Sequence, residues 1–281
     1  MTRGACLCGT VHYEIDGPFH AMLHCHCSMC RKFHGSAFAT AAVAPLSSFR
    51  WLAGEHAIRA SCASRHRSFC ATCGSATPLL APERQLALVH AGNLEGDLGI
   101  EPEFHQFVRS RAPWYTITDS LPQFEEWPPP SQAPVVSRPA VAPREGVTQG
   151  SCLCGDVAFE FDGAPLRMLN CHCSRCRRGR SAAHATNVFV ALDTFRWVRG
   201  DAQVASYKVP EARFFTVAFC TRCGGAAPRL SPERGFAVVP AGTLDTDPGI
   251  RPAAHIFTAS KASWFPITGD LPQYAELPPQ A

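Results

Sequence analysis

The sequence predicts a mostly β protein built as two tandem, metal-pinned domains joined by a proline-rich linker. Three observations carry that prediction. The chain repeats itself along nearly its whole length, and its cysteines recur in tight C-x-C and C-x-x-C spacings at matched places in both copies. Between them lie short apolar runs that alternate with period two or stop at Gly or Pro.

The repeat can be followed in order. CLCGTVHYEIDG from Cys6 matches CLCGDVAFEFDG from Cys152 at eight of twelve positions. CHCSMCRK at Cys25 matches CHCSRCRR at Cys171, and FRWLAG at Phe49 matches FRWVRG at Phe195, all offset by 146. From FCATCG at Phe69 against FCTRCG at Phe219 the offset is 150, so the second copy carries about four extra residues between Gly200 and Cys220. The stretches from Ala91 and Ala241, and from Pro113 and Ser263, extend the match. These place one domain at 1–127 and another at 150–281. Residues 128–149 hold six prolines in 22 positions, which reads as a stiff, extended linker.

Within a copy, VHYEI and VAFEF alternate in period two, and FATAAVA, FRWLA, LALVHAG and FAVVPAG are short strand-like runs. No segment has a long helical period, so the cysteines are expected in turns and knuckles at strand ends. Trp51, Trp197, Trp114 and Trp264 recur at matched positions and are expected in the cores.

Composition narrows the function classes. The chain has 281 residues, 46% hydrophobic and 17% charged, which is globular. No apolar run reaches the length of a membrane span. MTRGACLCGT has no apolar h-region, so the expected location is the cytoplasm. The net charge of +3 is too mild to argue for nucleic acid, although Arg175, Arg177, Arg178 and Arg180 cluster in the second copy. Fifteen cysteines, an odd number in tight clusters, read as metal binding in a reducing compartment.

Seven cysteines per copy divide as four plus three. Cys6, Cys8, Cys70 and Cys73, with Cys152, Cys154, Cys220 and Cys223 as the twin set, would make closed four-thiolate sites. Zinc is favoured over iron, because nothing requires redox work. Cys25, Cys27 and Cys30, with Cys171, Cys173 and Cys176, leave one tetrahedral position open. That is the pattern of a catalytic zinc site, giving up to two zinc ions per domain and four per chain. Other ligands remain in play for the fourth position: His26, His172, His105 and His255, and, in the first copy only, Cys62.

These motifs resemble the glutathione-dependent formaldehyde-activating enzyme (GFA) family, also called the CENP-V domain family. The likeness rests on GACLCGTVHYEI and GSCLCGDVAFEF, CHCSMCRK and CHCSRCRR, and FCATCGS and FCTRCGG, and it covers both copies almost end to end. The resemblance implies a zinc-pinned β-tent fold. It also implies a structural zinc on the first and last cysteine pairs and a catalytic zinc on the triad. The implied activity is carbon–sulfur lyase chemistry of the S-(hydroxymethyl)glutathione synthase kind, with glutathione or a similar thiol and formaldehyde or another aldehyde as partners.

Arg31, Lys32, Arg177 and Arg178 adjoin the triads and are expected either to clamp glutathione carboxylates or to form a solvated face. The rival reading is a non-catalytic zinc module that binds protein or nucleic acid, for which SRCRRGR would supply phosphate contacts. The sequence leaves the oligomeric state open. Phe33, His34 and Phe38 align with Gly179, Arg180 and His184, so the surroundings of the two triads are expected to differ.

Overall fold

The computed structural model describes residues 1–131, 133–135 and 141–278. The middle of the expected linker, 136–140, lies outside the described residues.

The first half contains β1 (Thr2–Ala5), β2 (His12–Ile15), β3 (Ala21–Cys25), α1 (Ser28–His34), β4 (Ala39–Pro45), β5 (Phe49–Ala53), β6 (Ile58–Ser61), β7 (Ser64–Cys70), β8 (Leu79–Ala81), β9 (Leu86–His90), β10 (His105–Gln106) and β11 (Gln123–Phe124). The second half repeats this as β12 (Val147–Ser151), β13 (Ala158–Asp162), β14 (Arg167–Cys171), α2 (Ser174–Arg180), β15 (Ala185–Ala191), β16 (Phe195–Arg199), β17 (Val204–Lys208), β18 (Thr216–Cys220), β19 (Arg229–Ser231), β20 (Phe236–Pro240) and β21 (His255–Ile256).

Each half is mostly β, with one sheet ordered β1-β2-β5 or β12-β13-β16, one ordered β11-β10-β3-β4-β9-β8 or β19-β20-β15-β14-β21, and one hairpin, β6-β7 or β17-β18. The alternation seen in ATAAVAP becomes strict in β4, where every second residue after Ala39 is buried. The extra residues of the second copy fall between β17 and β18. Trp114 and Trp264 are buried, and Trp51 and Trp197 pack against the same core.

The expectation of cysteines in turns and knuckles at strand ends holds for part of the motif and needs correction for its last cysteine, which lies in a helix. C-x-C-x-x-C straddles a strand end, a cap and a helix. Cys25 ends β3, Cys27 caps α1 by accepting from the Cys30 amide, and Cys30 lies in the helix. Cys173 and Cys176 do the same for α2. A seven-residue helix makes two turns, too few for a period to stand out in sequence.

The two halves share one core. Tyr13, Met22 and Phe38 from the first half join Phe159, Met168 and Phe265 from the second in a single buried cluster. Residues at matched positions of the two halves take part in the contacts across the interface. Ser75 Oγ donates to Arg178 O, and the amide of Ala226 donates to Lys32 O. Phe69 meets Phe219 edge to face at 6.1 Å. Gly74 lies under the Phe219 ring and Gly224 under the Phe69 ring, where a Cβ would approach to 2.4 Å, so both positions require glycine. Thr118 and Thr268 hydroxyls meet at 2.6 Å.

Candidate metal centres

The sequence brings together the four sets of cysteines it predicted. Cys6, Cys8, Cys70 and Cys73 form one cluster and Cys152, Cys154, Cys220 and Cys223 another, with all four sulfurs of each within 4.8 Å of one another. S···S separations include 3.4 Å for Cys6–Cys8, 3.7 Å for Cys8–Cys70, 3.4 Å for Cys152–Cys154 and 3.9 Å for Cys154–Cys220. A tetrahedral ion with metal–sulfur bonds of about 2.3 Å requires S···S distances of about 3.8 Å. The observed spacings fit that geometry, and all fifteen cysteines are free thiols. Backbone amides support the sulfurs: Val11 N donates to Cys6 Sγ at 3.3 Å, and Val157 N to Cys152 Sγ at 3.4 Å. Each cluster ties the loop after the first strand of its half to the knuckle after β7 or β18.

Cys25, Cys27 and Cys30, and Cys171, Cys173 and Cys176, form the two triads, again with sulfurs within 4.8 Å. Among the described residues no fourth ligand joins either set. His26 and His172 turn inward. His26 Nε2 lies 2.8 Å from His105 Nδ1, and His172 Nε2 lies 2.8 Å from His255 Nδ1. All four histidines are buried, and none has a ring nitrogen grouped with either triad. Burial, with the charge of His105 next, pushes His26 down to about 3. Cys62 does not close the first triad either. It lies across the interface beside Cys154 and Asp156, because the β6–β7 turn points toward the second half.

Charge around the triads is uneven. Hydrogen bonds from Cys25 and Cys27 hold the Cys30 thiol well below the usual thiol range, against burial and with help from Arg67. Hydrogen bonds from Cys171 and Cys176 bring Cys173 down to about 3. The other two thiols of each set are raised by their sulfur neighbours and by burial, so each triad shares its protons among its three sulfurs.

The four basic residues beside the triads have different surroundings. Lys32 is 4% exposed and points into the interface, 2.7 Å from Asp245 and donating to Ser151 O at 2.8 Å and Thr243 O at 3.0 Å. Arg178 pairs with Glu95 of the first half. Both cations are therefore engaged in joining the halves. Arg31 Nε donates to Ser110 O at 3.2 Å; burial pushes its pKa down, with Cys27, Asp245 and Cys30 opposing that shift. Arg177 Nε is buried and makes no hydrogen bond among the described residues. The basic run SRCRRGR is thus largely folded into the interface.

Sequence reasoning missed Arg67. Its guanidinium donates to Cys30 Sγ at 3.4 Å from β7. Val217 stands in its place in the second half, where RHRSFC becomes FTVAFC. That asymmetry is visible once the copies are aligned. His90 was missed as well: its ring lies 4.8 Å, centroid to centroid, from that of His34.

Fold and site together define a duplicated β protein with four cysteine centres suited to thiophilic metal ions, two of them three-coordinate in protein ligands. The profile of the family described as glutathione-dependent formaldehyde-activating enzyme matches residues 1–110 and 147–260. The chain belongs to that family, as two tandem copies. A Rhodobacter sphaeroides protein of known crystal structure is 31% identical, with the match covering 34% of this chain and 89% of that one at a TM-score of 0.29. No curated protein matches the chain. Among the described residues no helix is long and apolar enough to cross a membrane.

Proposed function

We propose that the protein is a zinc-dependent carbon–sulfur lyase-type enzyme of the cytoplasm that joins a thiol, glutathione or a close relative, to formaldehyde or a related aldehyde. The observation that carries this reading is the pair of three-cysteine centres without a fourth protein ligand among the described residues, within a family named for this chemistry. The three sulfurs of each triad would hold a zinc ion, which would supply Lewis-acid chemistry that favours the thiolate form of a thiol substrate.

The chain's own groups set up the rest. Arg67 and Arg31 place positive charge at the first triad, where they hold an anionic thiol and favour its thiolate form. Arg177 offers the same charge at the second triad. The substrate sulfur forms a bond to the carbonyl carbon, the carbonyl electron pair moves to oxygen, and the proton lost from the thiol is restored at that oxygen. Developing negative charge on the oxygen is stabilised by the nearby guanidinium. His26 and His105 form a buried wall behind the triad and fix the strand end that carries Cys25. In the four-cysteine sets, zinc is a structural pin.

The test is calorimetric titration of glutathione into zinc-loaded protein, beside Cys27→Ser and Cys173→Ser, with product formation from formaldehyde followed by NMR. Binding lost in one variant assigns the thiol to that triad. Partial loss in both makes the two sites equivalent. No binding by the intact, fully metallated protein rejects glutathione as the substrate. Salt-sensitive DNA binding in its place would favour the interaction-module reading.

A further inference from the structure

Fourteen of the fifteen cysteines fall into the four clusters, leaving Cys62 as the odd one. It sits in the turn between β6 and β7 of the first half and is exposed. Its surroundings nevertheless belong to the second half. Its sulfur lies within 4.8 Å of Cys154 Sγ and of a carboxylate oxygen of Asp156. The turn is anchored there, because the Cys62 amide donates to Arg222 O at 3.1 Å. Arg222 lies inside the Cys220–Cys223 knuckle and pairs with Asp156. The neighbouring Ala63 packs against the same group of cysteines.

The opposite hairpin makes the contrast clear. The second half reaches back over the first four-cysteine set with Tyr207 of β17, which packs beside Cys8 and brings no sulfur. Only the second set therefore has a fifth sulfur at its rim. Its nearest ligand, Cys154, is also the one member of that set that is not buried. A solvent-facing thiol thus stands next to the most accessible ligand of a site otherwise closed.

We propose that Cys62 and Cys154 form a reversible disulfide when the protein meets a hydroperoxide, and that this bond withdraws Cys154 from the second four-cysteine centre. The Cys62 sulfur attacks the terminal peroxide oxygen, breaks the O–O bond and becomes a sulfenic acid, releasing water from hydrogen peroxide. The Cys154 sulfur then attacks the Cys62 sulfur and displaces the hydroxyl as a second water. Two thiols lose two electrons and two protons, and the peroxide is reduced. The two sulfurs start within 4.8 Å of each other, and the exposed turn that carries Cys62 would have to give locally to bring them to a bond of about 2.05 Å. Cys152, Cys220 and Cys223 are left as a three-sulfur set, so the ion is held less tightly. A dithiol reductant reverses the bond. Formation of the bond does not depend on which ion the cluster holds, nor on the activity of the triads.

The experiment treats the full-length, zinc-loaded protein with graded hydrogen peroxide. Disulfide-linked tryptic peptides are sequenced by mass spectrometry, and zinc per chain is counted by native mass spectrometry, for wild type and Cys62→Ser. The expected result is a crosslink between residues 60–65 and 145–167, with fragmentation placing it on Cys154. About one zinc per chain is lost in step with it and regained after reduction in zinc buffer. Cys62→Ser keeps that zinc at the same dose. The proposal is overturned if Cys62 stays reduced, ends as sulfinic or sulfonic acid, or bonds to any cysteine other than Cys154. Equal zinc loss from Cys62→Ser overturns the coupling to the metal centre, whatever the triads do with glutathione.

Discussion

In the first half, His26 meets His105, and His105 Nε2 lies 3.0 Å from the carboxylate of Asp119. In the second, His172 and His255 keep the same 2.8 Å contact, but Gly269 stands where Asp119 would be. The differences extend around the triads. Arg67 faces Val217, His34 faces Arg180, His90 faces Pro240, and Phe38 faces His184 in the matched positions. The cysteine framework is retained twice, while the groups that tune it have been exchanged. Metal ligation tolerates no substitution at the sulfurs, whereas charge beside a bound thiol can be supplied or withheld by a single side chain. The first triad thus has a strand-borne guanidinium at its third cysteine, and the second has an aliphatic residue there with Arg180 at the helix end.

The comparison is broken most decisively at the interface. Lys32–Asp245 is buried, whereas its counterpart Arg178–Glu95 has side chains 32% and 49% exposed. Lys32→Met leaves Asp245 without its ion pair and should cost about 3–5 kcal/mol in denaturant unfolding. Arg178→Met should cost about 0–1 kcal/mol. Equal losses would show that the two contacts are energetically alike.

Acid provides the next test. Burial pushes His184 down to about 3 from 6.5, with the charge of His255 also opposing protonation. The unfolded chain therefore binds a proton below pH 6.5 that the folded chain does not, so this contribution is complete above 6.5 and falls away as the pH drops toward 3. Each such histidine adds a slope of about 1.4 kcal/mol per pH unit, or about 2 kcal/mol by pH 5. His184→Phe, which copies Phe38, should flatten the pH dependence of the unfolding free energy by one proton. An unchanged slope would remove His184 from the account.

A smaller effect is expected at Arg67. In a Cys173→Ser background, Arg67→Leu should weaken glutathione binding about 10-fold, the loss of one charge-assisted hydrogen bond. Titration calorimetry reads this directly, and equal affinity would make Arg67 a spectator. Asp119→Gly, which gives the first half the second half's residue, should cost about 1 kcal/mol in unfolding. A neutral result would mean that the carboxylate adds nothing to the histidine pair.

The four cysteine sets were legible because each motif is local and the copies calibrate one another. Mostly-β architecture followed from short alternating runs such as ATAAVAP. The helices α1 and α2 were not legible, since two turns do not establish a period. The fates of Lys32, Arg178 and Cys62 were hidden for a different reason. Their partners Asp245, Glu95 and Cys154 belong to the other copy, and nothing in local spacing reveals which surfaces of two domains meet. Arg67 lay between these cases. RHRSFC against FTVAFC shows a lost charge, but only the fold of β7 shows that the charge faces Cys30.

The matched contacts across the interface have a consequence for how such a chain can change. Glu95 occupies in the first half the place that Asp245 occupies in the second, so Lys32 of an unfused first half has an acidic partner waiting on another copy of itself. The surface is self-complementary, as in a two-fold homodimer. In a homodimer, one mutation is written into both sites at once. Fusion through the proline-rich segment gives each site its own codon, so arginine at 67 and valine at the matched position 217 can stand in one chain.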